Sequence, residues 1–492
     1  VAWGTGEFTA GTTDVLVVGG QGSSIDRVLI FDGAGGMEDV GVAIADNSSL
    51  GALIDTRPAG SDPLAFLASE GEVGMVKAKS GFTGAEIRGL EMEGDWALPA
   101  DILGDRTAVY SPEGVGRVIA RDGLAGDVVT GGDVDLVKVI GGNLGGGVYV
   151  GGDFGVLKVI GGDAEGPVDV DGDIRVGMAI ARGGDGGSVT GSMDVEGSLS
   201  VLKAFGGDIG AVKVGEDARI IQALGGDLAG VLDIGGDLRV ARTIQRAGEG
   251  GGIAGGVGVE GDLTVLRASG AGVSADVSAG GNLSVMVVVE GDIEEGVTVS
   301  AGDVTGEGGI GMLKVVGGDI EGNIDAAGQV GAVISTNRYN IGGNLSGEVE
   351  AGDGLRAAIV RRDLTGHLSV SGDLTKVSVG GDILGSEINV SGSARVVKSG
   401  GKIENSLVDV GENLALALSA ADLHNPRIDA GSLGRVIVRG DITRDAPALD
   451  PGIHADAGRF FAMDGTWRGW VDANDPHWFG AGQEEGVQAW IG

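Results

Sequence analysis

The residues with the clearest chemical potential are aspartates that recur at a regular spacing. Carboxylate oxygens are the ligands that Ca²⁺ prefers, so a regular row of them could bind calcium. Short aspartate side chains also accept hydrogen bonds from backbone amides in turns, and we favour this turn-capping interpretation over calcium binding. The candidate calcium ligands are Asp133, Asp153, Asp173, Asp217, Asp237 and Asp262.

These aspartates belong to a Gly-Gly-Asp motif that is followed by a short aliphatic run. Clear copies begin at Gly131, Gly151 and Gly161, and a Gly-Gly-Asn variant begins at Gly141. Two kinds of run alternate: one reads like Asp153–Ile160 and carries a lysine near its end, and the other is richer in glycine and acids. One pair of runs makes one repeat, which marks the chain as a repeat architecture.

The repeat predicts an all-β fold, a parallel β-solenoid with about 20 residues per coil and roughly 17 coils. From Gly114 to Ser432 the repeats follow at intervals of 19 or 20 residues, broken by four longer intervals of 25 to 27. We expect two main strands per coil, a thin aliphatic core, and glycine pairs that adopt positive φ at each corner. Segments such as 182–190 and 246–256 are expected to be loops on the outside of the solenoid.

The two ends of the chain differ from the repeats. We predict an N-terminal strand-rich cap or assembly segment over 1–70, the solenoid over 71–445, and an aromatic C-terminal cap or assembly segment over 446–492. Open solenoid ends expose unpaired strand edges, and aromatic residues are typical of interface cores. The candidate assembly residues are Trp3, Phe8, Trp467, Trp470, Trp478 and Trp490.

Composition limits the function. The chain has 492 residues, 102 glycines, no cysteine and a formal net charge of −37. This charge argues against nucleic-acid binding, which requires lysine and arginine at the phosphates. Only nine prolines are present, which excludes collagen, and no apolar segment is long enough to be a membrane-spanning helix. The start at Val1 is interpreted as the mark of a removed leader.

A lysine column is expected on one strand of the repeat, at Lys77, Lys138, Lys158, Lys203, Lys314 and Lys398. We interpret it as a solvated face that blocks lateral aggregation. No catalytic residue is predicted. The four histidines show no ligand spacing, and carboxylate pairs are too numerous among 71 acidic residues to indicate a glycosidase.

The Gly-Gly-Asp pattern over roughly residues 70–440 resembles the repeats of bacterial surface β-solenoid proteins, such as adhesin shafts, S-layer components and extracellular filament subunits. The resemblance implies an extracellular or cell-surface structural protein that is not an enzyme and whose partner is itself, in a filament or layer. Two alternatives stay open: a monomeric adhesin shaft that binds a surface or a cell-surface glycan, and a polysaccharide-active β-helix enzyme. No cofactor is required by any of these readings, and Ca²⁺ is the one candidate.

Overall fold

The computed structural model describes residues 107–440, with gaps at 183–185, 247, 249, 303–306 and 340. It also describes 14–19, 24–30, 40–45, 49–55, 66–69, 71–79, 442–443, 452–457, 459–463 and 468–472. Within these residues the regular elements are β-strands, and no helix is present. The fold is a parallel β-solenoid of about 17 turns that lie about 20 residues apart, which confirms the predicted fold class. The chain forms two compact units, Val1–Gly251 and Gly252–Gly492.

In the first unit each coil contains a long and a short strand. The long strands are Val73–Ala78, Gly114–Arg121, Asp133–Ile140, Phe154–Ile160, Ile174–Ile180, Leu199–Phe205, Ala218–Leu224 and Leu238–Ile244, preceded by the short pieces Ser24–Ile25, Val28–Ile30, Ser49–Leu50 and Leu53–Asp55. The short strands are Asp14–Gly19, Val40–Ala45, Phe66–Ser69, Thr107–Ser111, Asp127–Thr130, Val148–Val150, Val168–Val170, Met193–Val195, Val212–Val214 and Leu232–Ile234. Parallel pairing therefore already includes strands before residue 71.

The second unit repeats this arrangement. Its long strands are Leu263–Ser269, Leu283–Val289, Ile310–Val316, Gln329–Thr336, Gly354–Val360, Asp373–Val379, Ala394–Ser399 and Arg459–Met463. Its short strands are Val257–Val259, Val277–Ala279, Thr298–Ala301, Asn323–Ala326, Glu348–Ala351, His367–Val370, Glu387–Val390 and Gly452–Ala457. Two continuous strands, Leu407–Ser419 and Arg427–Val438, supply both positions of their coils, and Arg468–Asp472 pairs antiparallel with Arg459–Met463.

A third hydrogen-bonded column corrects the expectation of two strands per coil. In the first unit it consists of single-residue bridges that join Leu124, Leu144, Ala164, Val189, Ile209 and Leu228 in turn. In the second unit single-residue bridges at Ile253, Ile320, Leu345 and Leu364 alternate with two-residue strands. These strands are Gly272–Val273, Asp292–Ile293, Ile383–Leu384, Ile403–Glu404, Leu423–His424 and Ile442–Thr443. One apolar residue between two glycine-rich corners is enough to form a rung, so each coil has three sides rather than two.

The core is a stack of aliphatic rungs supplied by all three sides. In the coil that begins at Asp153 the buried side chains are at most 2% exposed, and they are Phe154, Leu157, Val159, Ala164, Val168 and Val170. The register stacks aliphatic side chains of successive coils on one another, as for Val139, Val159 and Ala179 on consecutive long strands. Fully burying one such aliphatic side chain contributes about 1.5–3 kcal/mol, so every coil adds a similar increment of stability.

Glycines of the motif have different physical roles at the corner after each long strand and at the corner before it. After the long strand, Gly141 and Gly161 adopt φ values of +85° and +76°, as predicted. Before the long strand the predicted positive φ is wrong at Gly151 and Gly172, which are not left-handed, although Gly114 and Gly354 do have positive φ. Instead, a Cβ atom at Gly172 would lie 2.5 Å from Oδ1 of Asp153. The glycine is needed there because the carboxylate of the preceding coil occupies the space of a side chain.

This close approach predicts a position-specific cost of adding one methyl group. We expect Gly172→Ala to destabilise the first unit by about 1–3 kcal/mol, the usual cost of overpacking a tight site. Gly145→Ala is the matched control, because its Cβ would meet nothing closer than 3.9 Å. Thermal unfolding followed by circular dichroism compares the two variants. Equal stability of both would contradict the assigned role of the second glycine.

Candidate functional site

The predicted calcium ligands lie at the corner before each long strand, where they bond the next coil. The amide N–H of Asp153 donates to Oδ1 of Asp133 over 2.9 Å, and that of Asp173 donates to Oδ1 of Asp153 over 3.0 Å. The amides of Ser198, Asp237 and Asn282 likewise bond Asp173, Asp217 and Asp262. In these corners the donating amide thus lies one coil, 20 to 27 residues, further along the chain than the acceptor. An Asx-turn would instead bond a local amide, so the local turn expected from sequence is corrected to a bond between coils.

A second ladder of the same kind follows the long strands. In the first unit Oδ1 of Asn143 accepts from the amide of Asp163 over 3.0 Å, and Oδ1 of Asp163 accepts from the amide of Ser188 over 2.8 Å. In the second unit the acceptors of this ladder are Asp292, Asp319, Asn344, Asp363 and Asp382. Sequence reasoning did not single out these residues as a set, although their spacing of one coil is a visible signal.

The ladder positions do not require a charge. Asn143 and Asn344 hold the same place as aspartates, and Ser188 bonds the amide of Asp208 through Oγ over 3.3 Å. No group of three or more His, Asp or Glu side chains that could hold a metal ion occurs in the part of the chain that the structure describes. Amide capping therefore accounts for the predicted ligands, and calcium binding stays a prediction.

Capping and metal binding predict different results for an isosteric substitution. Asp153→Asn keeps the Oδ1 acceptor for the amide of Asp173 and should retain stability, since Asn143 already fills this role. Asp153→Ala removes the acceptor and should cost about 1 kcal/mol, the net value of one hydrogen bond. Hydrogen exchange at the Asp173 amide measures both. If Asn and Ala prove equally damaging, and stability depends on added calcium, the aspartate is a metal ligand rather than a cap.

The lysine column does form a row in the first unit. Register pairs Lys138 with Lys158, Lys158 with Met178, and Met178 with Lys203. The row continues through Gln222 to Arg242, whose Nη2 donates to Oε1 of Gln222 over 2.7 Å. The three lysines are half-buried rather than fully solvated. Their outward neighbours two residues away are apolar, so the expected fully solvated face is corrected to a mixed cationic and apolar one.

An acidic row lies on the outward side of the short strands. Asp169 and Asp194 are neighbours in register, flanked by Tyr149 on one side and by Lys213 and Asp233 on the other. Lys213 Nζ lies 3.2 Å from Oδ2 of Asp194. Partial burial raises the pKa of Asp169, the nearby Asp194, Asp171 and Glu196 carboxylates raise it further, and Lys213 lowers it. The parallel register thus brings like charges together on this side.

The crowding around Asp169 predicts opposite effects of two substitutions on its titration. Asp194→Asn should lower the pKa of Asp169, and Lys213→Ala should raise it. Because the folded-state pKa is raised, the fold gains stability as pH falls through it toward the unfolded value of about 3.9. Carboxyl ¹³C shifts followed against pH measure each change. Shifts of the same sign in both variants would contradict the electrostatic account.

The predicted assembly aromatics fall almost entirely outside the described residues. Trp3, Phe8, Trp467, Trp478 and Trp490 lie there, and their role stays a prediction. Trp470 lies in the antiparallel strand Arg468–Asp472, where it pairs with Phe461. The structure therefore places one of the six in a strand that covers an edge of the solenoid.

One insertion of the second unit carries exposed apolar side chains. Tyr339 is 81% exposed and Ile341 is 65% exposed, and Tyr339 has a left-handed φ of +53°. Mutual backbone hydrogen bonds between Arg338 and Ile341 close this turn, and Arg338 also pairs with Glu290 over 2.8 Å. These contacts join the two sides of the insertion and attach it to the strand that ends before Glu290.

Comparison with protein families, with curated proteins and with solved structures found no match for this chain. Among the described residues, no helix has the length and apolar character needed to cross a membrane. The class that can be stated is that of the fold: the chain is a parallel β-solenoid repeat protein.

Proposed function

We propose that this chain is an extracellular structural protein that self-associates, end to end, into a filament or surface layer. The observation that carries the proposal is the pair of side-chain ladders on each coil. Most coils offer the next one strand hydrogen bonds and a side-chain cap, so the stack is built by repetition. The role is mechanical rather than enzymatic.

The strand edges at the two ends support association end to end. Asp14–Gly19 pairs with Val40–Ala45 and with no other strand among the described residues. Gly452–Ala457 likewise pairs only with Arg427–Val438 within the described part of the chain. Unpaired strand edges of this kind are templates for pairing with another chain. The antiparallel strand Arg468–Asp472, by contrast, covers the neighbouring edge of Arg459–Met463.

The insertion with exposed apolar side chains supports a second candidate function, that of a monomeric adhesin shaft. Tyr339 and Ile341 are large side chains held in the open by a closed turn, and such side chains are typical of binding contacts. In this alternative the solenoid is a stiff spacer that presents the insertion to a surface or glycan.

Electron microscopy of the purified protein tests the proposal. We expect ordered fibres or sheets from the intact chain, and we expect chains lacking residues 446–492 to block their growth when mixed with intact chains. Each sample is imaged with and without millimolar calcium. Assembly that depends on calcium would indicate that the aspartates are metal ligands. Isolated rods at every protein concentration would contradict self-association and favour the adhesin shaft.

A further inference from the structure

The outward side of the long strands in the first unit carries two apolar columns, aliphatic except for Phe205. We call this side, together with the lysine column between them, the long-strand face. One column is Leu136, Val156, Val176, Val201, Ile220 and Val240, and the other is Ile140, Ile160, Ile180, Phe205, Leu224 and Ile244. All twelve side chains are partly exposed, although each strand also buries its own inward set.

The long-strand face is as large as the largest apolar patches of typical soluble monomers. Six strands about 4.8 Å apart, with the outward columns spread over about 13 Å of strand, give a face of roughly 400 Å², the lysine column included. The largest apolar patch of a typical soluble monomer is about 300–600 Å² and often marks an interaction site. The size of the long-strand face therefore indicates that another molecule packs on it.

The charge of the face specifies that molecule as anionic. Lys138, Lys158 and Lys203 lie between the two apolar columns, and the ion pairs formed by the described residues involve other side chains. An ammonium group covered by an apolar contact needs a charged partner, because desolvation without one is costly. The whole chain carries a net charge of −37, so a cationic row of this kind is complementary to most of the chain's own surface.

The acidic row on the short strands of the same unit has the matching pattern. Asp169 and Asp194 lie on consecutive coils, as do Lys138 and Lys158. In both rows successive charges lie on successive coils. The spacing between charges is therefore the same in the lysine column of one copy and in the acidic row of a second copy beside it. A facing lysine would also relieve the repulsion between Asp169 and its carboxylate neighbours, which adds to the effect of partial burial in raising the pKa of Asp169.

We propose that the long-strand face of one copy packs laterally against the short-strand acidic row of a second copy. The contact joins two different surfaces, because two long-strand faces would oppose lysine to lysine. A contact between unlike surfaces leaves one of each free on every pair, and it therefore propagates into a sheet or bundle. This inference rests on the proposed self-association and names the lateral surface that would convert single filaments into layers.

A charge-swap experiment tests the contact. Variant A carries Lys138→Glu, Lys158→Glu and Lys203→Glu, and variant B carries Asp169→Lys, Asp194→Lys and Asp233→Lys. All six are outward-facing positions, and circular dichroism checks that both variants fold. We expect each variant alone to associate laterally at least tenfold more weakly than the unmodified chain in sedimentation velocity. We expect an equimolar mixture of A and B to recover lateral association, since each then meets its complement.

The control for net charge is Arg356→Glu, Arg362→Glu and Arg395→Glu, three exposed positions of the second unit that make the same charge change as variant A. This control should retain lateral association. Unimpaired lateral association of variant A, or loss in both variants without recovery in the mixture, would overturn the proposed pairing of surfaces.

Electron microscopy of the same samples separates this inference from the proposed function. Single filaments from A and from B, with lateral bundles only in the mixture, support both. Single filaments of the unmodified chain that never associate side by side overturn the lateral contact and leave end-to-end assembly standing. Monomers at every concentration of the unmodified chain contradict both.

Discussion

The structure depends on one hydrogen bond that is repeated from coil to coil. A side-chain carboxylate or amide oxygen of one coil accepts it from the backbone N–H of the residue at the same position in the next coil. The bond fixes two features of the sequence together. The acceptor must be a short side chain such as Asp133, Asp153 or Asn143. The residue before the donor is glycine in most coils, because the acceptor fills the space of its side chain, although Arg362 precedes the donor Asp363. The Gly-Gly-Asp motif supplies both of these features, the short acceptor and the glycine before the donor.

The same constraint organises the surface. Since every coil repeats in register, any residue type that recurs at one place becomes a column, and like charges are brought within one strand spacing of each other. This produces the lysine column on one side and the acidic row on another. Partial burial raises the pKa of Asp169, and the carboxylates that the register brings beside it raise that pKa further. Because both repeat once per coil, the lysine column and the acidic row have the same spacing between residues. A compact domain with irregular loops has no such repeated spacing.

Much of the fold could be predicted from the sequence, because the period and the aliphatic runs carry it. The third column could not, since a single residue such as Leu144 or Ala164 between glycines has no periodicity of its own. The direction of the aspartate bonds also escaped prediction, because a local turn and a bond to the next coil require the same residue types. The long-strand face was missed for a related reason: Val156 and Ile160 resemble core residues in sequence, and only the structure shows them pointing outward. The terminal aromatics lie mainly outside the described residues, so their predicted role rests on sequence alone.

The central claim is that the surface corners are held by bonds between coils, and hydrogen exchange of the unmodified chain tests it most directly. The amides of Asp153, Asp163 and Asp173 lie in exposed turns, yet each donates to the preceding coil. The account predicts that they exchange as slowly as the strand amides of Phe154–Ile160 beside them. Exchange at the rate of an unstructured chain, with protection confined to the strands, would contradict it.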